Sequence, residues 1–167
     1  MLNLVLIRHG KSSWKYQDLE DYERPLNDRG RSDIPLMAER IALNFPAPSR
    51  ILSSSAERAM QTARGLLDSG KFSDAELISV DDLYLAEPEE IMLVLRSRSA
   101  GETVYLVGHN PGISLFASRL CGRDLGDLPT FASVYIQIDE PVQRSGGWEH
   151  VAWGEGELQQ VLTPKNP

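Results

Sequence analysis

Residues 4–10 read Leu-Val-Leu-Ile-Arg-His-Gly, an apolar run of strand length that stops at a cation, an imidazole and a glycine. A continuous Leu/Val/Ile run predicts a strand buried on both faces, over residues 2–7. The Arg8-His9 pair then falls at the strand's C-terminal end, where open α/β sheets place their ligands. A buried, unpaired guanidinium is costly unless an anion meets it, and its fork suits phosphate. A neutral imidazole beside it is a competent nucleophile. The same residues also permit a plainer arrangement, with Arg8 paired to a carboxylate and His9 capping the strand.

Two more strand ends carry the same kind of chemistry. Thr-Val-Tyr-Leu-Val at 103–107 reads as a buried strand and runs into Gly108-His109-Asn110-Pro111-Gly112, then an apolar helix from Ile113 to about Leu120. A short strand at 50–54 breaks into a Ser-rich turn and a helix from Ala56 to Leu67, with Gly70 just beyond its end. Arg58 lies in the first turn of that helix, near its free N–H groups and positive dipole end. In a parallel sheet these ends converge on one edge. Two guanidinium forks, two imidazoles and a helix N-terminus then make an anion pocket shaped for phosphate. Ser12 and Ser54 are further candidate donors, although loop serines often bond only their own backbone. Lys11 and Arg24 either draw in an anionic substrate or are solvated loop charges.

The rest of the chain supports an α/β frame. A long polar loop spans residues 8–26, a length that in compact domains is usually functional or mobile. Asn27 or Asp28 caps a helix whose apolar stripe is Met37, Ile41 and Phe45, with Pro35 in an early turn or at a kink. Ala75–Val80 is a strand, and Leu83-Tyr84-Leu85 extends it or starts a loop. Pro88 opens another helix at about its first position, with Glu89 and Glu90 complementing the dipole. Residues 133–138 alternate as a strand, and Trp148–Trp153 reads as an edge hairpin strand. Tyr84, Tyr105 and Phe116 fall in apolar patterns and read as core. Strands alternating with helices predict one α/β domain over residues 1–167, a three-layer sandwich with a largely parallel central sheet and helices on both faces.

Composition narrows the partners. With 167 residues the chain can bury one core, and a formal charge of −7 argues against nucleic acid or an anionic membrane. The one cysteine, Cys121, allows no intrachain disulfide and favours a cytoplasmic location; it reads as a buried small apolar group. No apolar run approaches membrane-spanning length, and three scattered histidines show no metal-ligand spacing, so no metal or other cofactor is expected.

Arg8-His9-Gly10, Arg58 and His109, in this order, resemble the histidine phosphatase superfamily, also called phosphoglycerate-mutase-like. Lys11-Ser12-Ser13-Trp14, Arg24-Pro25-Leu26-Asn27, Leu83-Tyr84-Leu85-Ala86 and the stretch from Ser54 to Ala63 are similar to the small phosphohistidine phosphatases of the SixA type. The Gly after His9 departs mildly from the Ala of many such proteins. The resemblance implies that His9 accepts the phosphoryl group while Arg8, Arg58 and His109 hold its oxygens, and that water then releases phosphate. Glu87 is the first candidate for a proton donor, read equally well as a helix N-terminal carboxylate; Asp18 and Asp21 are weaker ones. Only 50 residues separate Arg58 from His109, and a strand, a helix and another strand fill them, so no large lid insertion is expected and only the 8–26 loop could fold partly across the pocket. Such an open site suits a phosphohistidine on a histidine phosphotransfer domain or a phosphocarrier protein, and a monomer is expected. A phosphatase for small phosphate esters and a catalytically silent phosphate-binding module remain alternatives.

Overall fold

The computed structural model describes residues 1–72, 74–139 and 147–165. Six strands form one sheet: β1 (Leu2–Arg8), β2 (Arg50–Ser54), β3 (Glu76–Val80), β4 (Thr103–Gly108), β5 (Ser133–Ile138) and β6 (Gly156–Leu162). Their spatial order is β3-β2-β4-β1-β5-β6. The first four run parallel, and β5 and β6 are added antiparallel. Helices α1 (Asp28–Asn44), α2 (Glu57–Asp68), α3 (Pro88–Arg98) and α4 (Gly112–Cys121) follow β1, β2, β3 and β4 respectively.

The period-two pleat of the buried strands builds both cores at once. Leu4 and Leu6 of β1, with Val104 and Leu106 of β4, meet Ile91 and Leu95 of α3 and Phe116 and Leu120 of α4. Val5, Ile7, Tyr105 and Val107 face the other way, onto Met37 and Ile41 of α1 and Ala59, Ala63 and Leu66 of α2. The expected three layers therefore form, and the central strands β1 and β4 are apolar over residues 4–7 and 104–107 because both of their faces are covered. No helix of the described residues is long and apolar enough to cross a membrane.

Several local expectations are corrected. Trp148–Trp153 is not a strand. Residues Gly147–His150 make a 3-10 turn, and Trp148 is buried with Nε1 donating to the Gly101 carbonyl at 2.7 Å. Trp153 packs on Phe116 and on the Arg119 guanidinium. Those aromatics cover the α3–α4 layer, and the edge strand is β6, whose Gln-rich outward face hides its alternation. Pro35 lies well inside α1 on its exposed side, where water can take up the carbonyl that a proline leaves unpaired. Asn27 is the N-cap of α1, accepting from the Gly30 amide at 2.8 Å. After β3 the chain forms a 3-10 turn (Asp81–Leu83) and enters a loop; Tyr84 is half-exposed rather than core. Tyr105 and Phe116 are fully buried as expected, and Cys121 is only half-buried.

Candidate active site

Strand register brings the chemistry together. Arg8 at the end of β1 pairs with Gly108 at the end of β4, so His9 and His109 leave adjacent parallel strands at one level. Their ring centroids are 5.2 Å apart. β2 lies on the other side of β4 and ends at Ser54, from which the chain turns directly into α2 and its first-turn Arg58. Arg8, His9, Arg58 and His109 line one cavity of about 450 Å³, together with Lys11, Ser12, Trp14, Arg24, Leu85, Asn110 and Thr130. A cleft of about 520 Å³ along α4, at Pro111, Leu115 and Arg119, has no buried ionisable side chain in its lining.

The two imidazoles are held differently. His9 Nδ1 donates to the Gly10 carbonyl at 2.7 Å, which leaves the lone pair on Nε2. Arg58 Nε donates toward that lone pair at 3.3 Å. Burial pushes the His9 pKa down to about 4, against the Gly10 hydrogen bond and with the help of the Arg58, Arg8 and Arg24 charges. His109 Nε2 sits 2.7 Å from the Ser54 hydroxyl, which in turn accepts the Ala56 amide at 3.2 Å. Burial, then the neighbouring His9 and Arg58, push His109 down to about 3. Both rings are therefore neutral at neutral pH. Two buried nitrogens, His109 Nδ1 and Arg8 Nε, have no hydrogen-bond partner among the described residues. The Arg8 Nη1 group is anchored on the Leu128 carbonyl at 2.8 Å.

The 9–27 loop is tied down beside these groups. The Gly10 amide donates to Thr62 Oγ1, which itself donates to the Arg58 carbonyl at 2.8 Å, and the Leu26 amide donates to Gln61 Oε1 at 2.7 Å. A Cβ on Gly30 would stand 2.2 Å from the Lys11 carbonyl, so only glycine lets the loop pass against α1 there. A Cβ on Gly10 would stand 3.1 Å from the Phe131 ring, a packing reason for glycine after His9. Arg24 is buried, stacks on Trp14 at 3.5 Å, and donates to Asp21 Oδ1 at 3.1 Å and Ser12 Oγ at 3.0 Å. Asp21 also accepts from Arg58 Nη2 at 3.0 Å and from the Tyr84 hydroxyl at 2.5 Å. Partial burial raises the Asp21 carboxyl, but the Tyr84 and Arg58 hydrogen bonds and the Arg58 charge outweigh it and hold it down at about 2.

Arg8, His9, Ser12, Arg58 and His109 thus lie together as expected from the sequence. Ser54 does not line the cavity; it stands behind His109. Glu87 is not brought in either. It is exposed, occupies the N-cap of α3, and its own amide donates to Glu90 Oε1 at 3.1 Å, a reciprocal helix cap. Asp18 is exposed and outside the cavity lining. Sequence reading left Arg24 undecided, and it proves to be a third guanidinium of the cavity; Trp14, Asn110, Thr130 and Leu85 were not foreseen there. The Asp21–Tyr84 contact joins a loop to the turn after β3, which only the strand order could have revealed. Among the described residues no three His, Cys, Asp or Glu side chains cluster to hold a metal.

Comparison with known proteins bears on the family and the fold. The sequence model of the histidine phosphatase superfamily (branch 1) matches residues 4–83. An uncharacterized protein of Mycobacterium tuberculosis is 32% identical over 141 residues, covering 84% of this chain and 83% of the relative. A crystal structure from Agrobacterium tumefaciens that carries the SixA name superposes with a TM-score of 0.81 at 24% identity, covering 98% of each chain. The structure of a protein histidine phosphatase SixA complexed with tungstate superposes with a TM-score of 0.75 at 22% identity, covering 99% of each.

Proposed function

We propose that this chain, which belongs to the histidine phosphatase superfamily and is a hydrolase of the phosphatase class, transfers a phosphoryl group to His9 Nε2 and acts on phosphohistidine carried by another protein. The observation that carries the reading is the His9 tautomer. Its Nδ1 proton is committed to the Gly10 carbonyl, so a neutral ring presents an Nε2 lone pair into a cavity shared with three guanidiniums. Phosphoryl transfer asks mainly for in-line positioning and charge stabilisation, which such a set supplies. Arg8, Arg58 and His109 take the non-bridging oxygens. If Ser54 donates to His109 Nε2, the proton sits on Nδ1, and that orphaned nitrogen is a donor for a phosphoryl oxygen. Arg58 Nε, which holds the lone pair at rest, shifts to a phosphoryl oxygen as the N–P bond forms. Water then attacks phosphorus and gives up a proton to the phosphate formed, the N–P bond breaks with its electron pair returning to Nε2, and His9, still carrying its Nδ1 proton, leaves as the neutral ring.

What surrounds that pocket supports the reading of the substrate class. An alkoxide leaving group needs a proton donor. Glu87 is spent on capping α3, and Asp21 is held ionised between Tyr84 and two arginines. A phosphohistidine substrate needs neither, because an imidazole protonated on its distal nitrogen already leaves well. The cavity mouth carries Trp14, 77% exposed, and Leu85, 53% exposed. From Arg58 to His109 the described residues are taken up by α2, β3, α3 and β4 with their short connections, and none of them forms an inserted cover. Small ligands draw their affinity from enclosure, whereas an open site admits a side chain standing on a protein surface. The test is kcat/KM for a phosphorylated phosphotransfer protein against a panel of sugar phosphates and phosphoserine, with one preparation. We expect the protein substrate to lead. A small ester that leads by about tenfold, or ~1.4 kcal/mol of barrier, overturns the reading.

A further inference from the structure

We propose that Asp21 and Tyr84 form a positioning pair that holds Arg58 in the orientation the phosphoryl transfer needs, a step that rests on His9 being the phosphoryl acceptor. Arg58 is 3% exposed, and the hydrogen bonds of its guanidinium run to Asp21 and to His9, with the Tyr84 hydroxyl beside them. Nη1 donates to the Asp21 carbonyl at 2.7 Å and Nη2 to Asp21 Oδ2 at 3.0 Å. With both terminal nitrogens fixed on one residue, the remaining Nε–H is aimed at His9 Nε2. That is where phosphorus must arrive.

Asp21 needs its own support. Its side chain is 42% exposed and sits in a 3-10 turn (Asp21–Glu23) of a long loop, so alone it is a weak anchor for a buried cation. Tyr84 supplies the support from a separate element. Its hydroxyl donates to the same Oδ2 that Arg58 uses. The Tyr84 ring is itself fixed edge-on between Tyr22, at 5.0 Å, and His109, at 5.5 Å. Asp21 Oδ1 meanwhile takes Arg24 Nε. One carboxylate therefore sets two of the cavity's three guanidiniums, and one phenol sets the carboxylate. The Tyr84 hydroxyl is assigned its effect through Asp21, which accepts its hydrogen bond, and is not assigned a proton to transfer.

A double-mutant cycle tests this, with Tyr84→Phe, Asp21→Ala and the double variant. Kinetics use phosphoramidate, and calorimetry uses tungstate, which reports on the cavity whether or not the phosphodonor is turned over. Tyr84→Phe keeps the ring and the pocket charge. It should lower kcat about tenfold, change KM by less than about threefold, and weaken tungstate several-fold. Added to Asp21→Ala, the same change should move kcat and tungstate affinity by less than about twofold, because the charge effect of losing Asp21 is common to both members and cancels. An undiminished Tyr84→Phe effect in the Asp21→Ala background overturns the proposal, as does a Tyr84→Phe protein equal to the parent in kcat and tungstate affinity. Melting in the absence of anions checks the fold of each variant, and Asp21→Asn replaces Asp21→Ala if the latter does not fold. A parent that fails to cleave every phosphodonor refutes the phosphatase mechanism while leaving the tungstate cycle able to decide the pair.

Discussion

The ends of β1 and β4 are near-copies that diverge in one hydrogen bond. Each has a buried apolar run of four residues (4–7 and 104–107), each is followed by a buried histidine, and the two run parallel in matched register. After β1 the ring is fixed through Nδ1 by a backbone carbonyl one residue on. After β4 it is fixed through Nε2 by a side-chain hydroxyl from β2. A carbonyl can only accept, so His9 must be the Nδ1–H tautomer and must offer a lone pair. A hydroxyl can donate, so His109 is free to carry its proton on Nδ1 and offer an N–H. In the proposed mechanism two imidazoles in one buried, cationic setting take opposite polarity, and the division between nucleophile and oxyanion donor rests on which atom faces each ring.

The largest effect should come from breaking that division at His9. His9→Ala should lower turnover by about a thousandfold or more, ~4 kcal/mol of barrier, and should abolish the acid-labile, base-stable phosphoryl label trapped from a phosphodonor. His109→Ala removes a donor, not the acceptor atom. It should cost about a hundredfold and still yield labelled His9, more slowly. Label that survives in His9→Ala and vanishes in His109→Ala would exchange the two roles.

A smaller effect is common to both strand ends. Both rings have folded-state pKa values, about 4 and about 3, below that of a histidine in the unfolded chain. Between those values and ~6.5 the unfolded state binds more protons than the folded one, so stability rises with pH across that window. The stabilisation is complete above ~6.5 and is lost as the pH falls toward 4. Each ring should contribute a slope of up to ~1.4 kcal/mol per pH unit. Urea unfolding at pH 7.5, 6, 5 and 4.5 should show this decline, and His9→Ala and His109→Ala should each remove about half of it. If one variant removes nearly all, the two environments are less alike than their burial indicates.

The same comparison explains what could be read without coordinates. The strands ending at Arg8 and Gly108 are covered on both faces, so residues 4–7 and 104–107 are unbroken apolar runs with abrupt polar ends, the shorter Ile51-Leu52 pair stops in the same way at Ser53, and the convergence of Arg8, His9, Arg58 and His109 follows from parallel topology alone. The β5–β6 side is different. Its edge strand mixes glutamines with leucines because one face meets solvent, and the neighbouring tryptophans gave a false strand at 148–153. Within the site, residues that act through the backbone of one strand end were legible. Those that act across elements were not: Tyr84 looked like core because its ring is apolar, and its function lies in a hydroxyl reaching Asp21, 63 positions away. Arg24 likewise gave no sign of burial, since its cover is Trp14 from the same polar loop.

The smallest expected effect concerns a residue that neither strand end recruits. Glu87 follows β3, the third strand of the parallel set, at a point where sequence alone makes it a plausible proton donor. Its exposed side chain and its capping bond with Glu90 assign it to the start of α3 instead. Gln keeps an acceptor oxygen for the helix N-terminus and loses only the charge–dipole attraction, worth about 0.3–1 kcal/mol at an exposed site. Glu87→Gln should therefore lower thermal stability slightly and leave kcat/KM within about twofold for a phosphohistidine protein and for any small ester that is cleaved. A proton donor would behave otherwise: ester cleavage would fall by about a hundredfold and lose its alkaline limb, while phosphohistidine cleavage, whose leaving group brings its own proton, would be spared. That split would move Glu87 into the reaction and show that the loop after β3 closes on the pocket when substrate arrives.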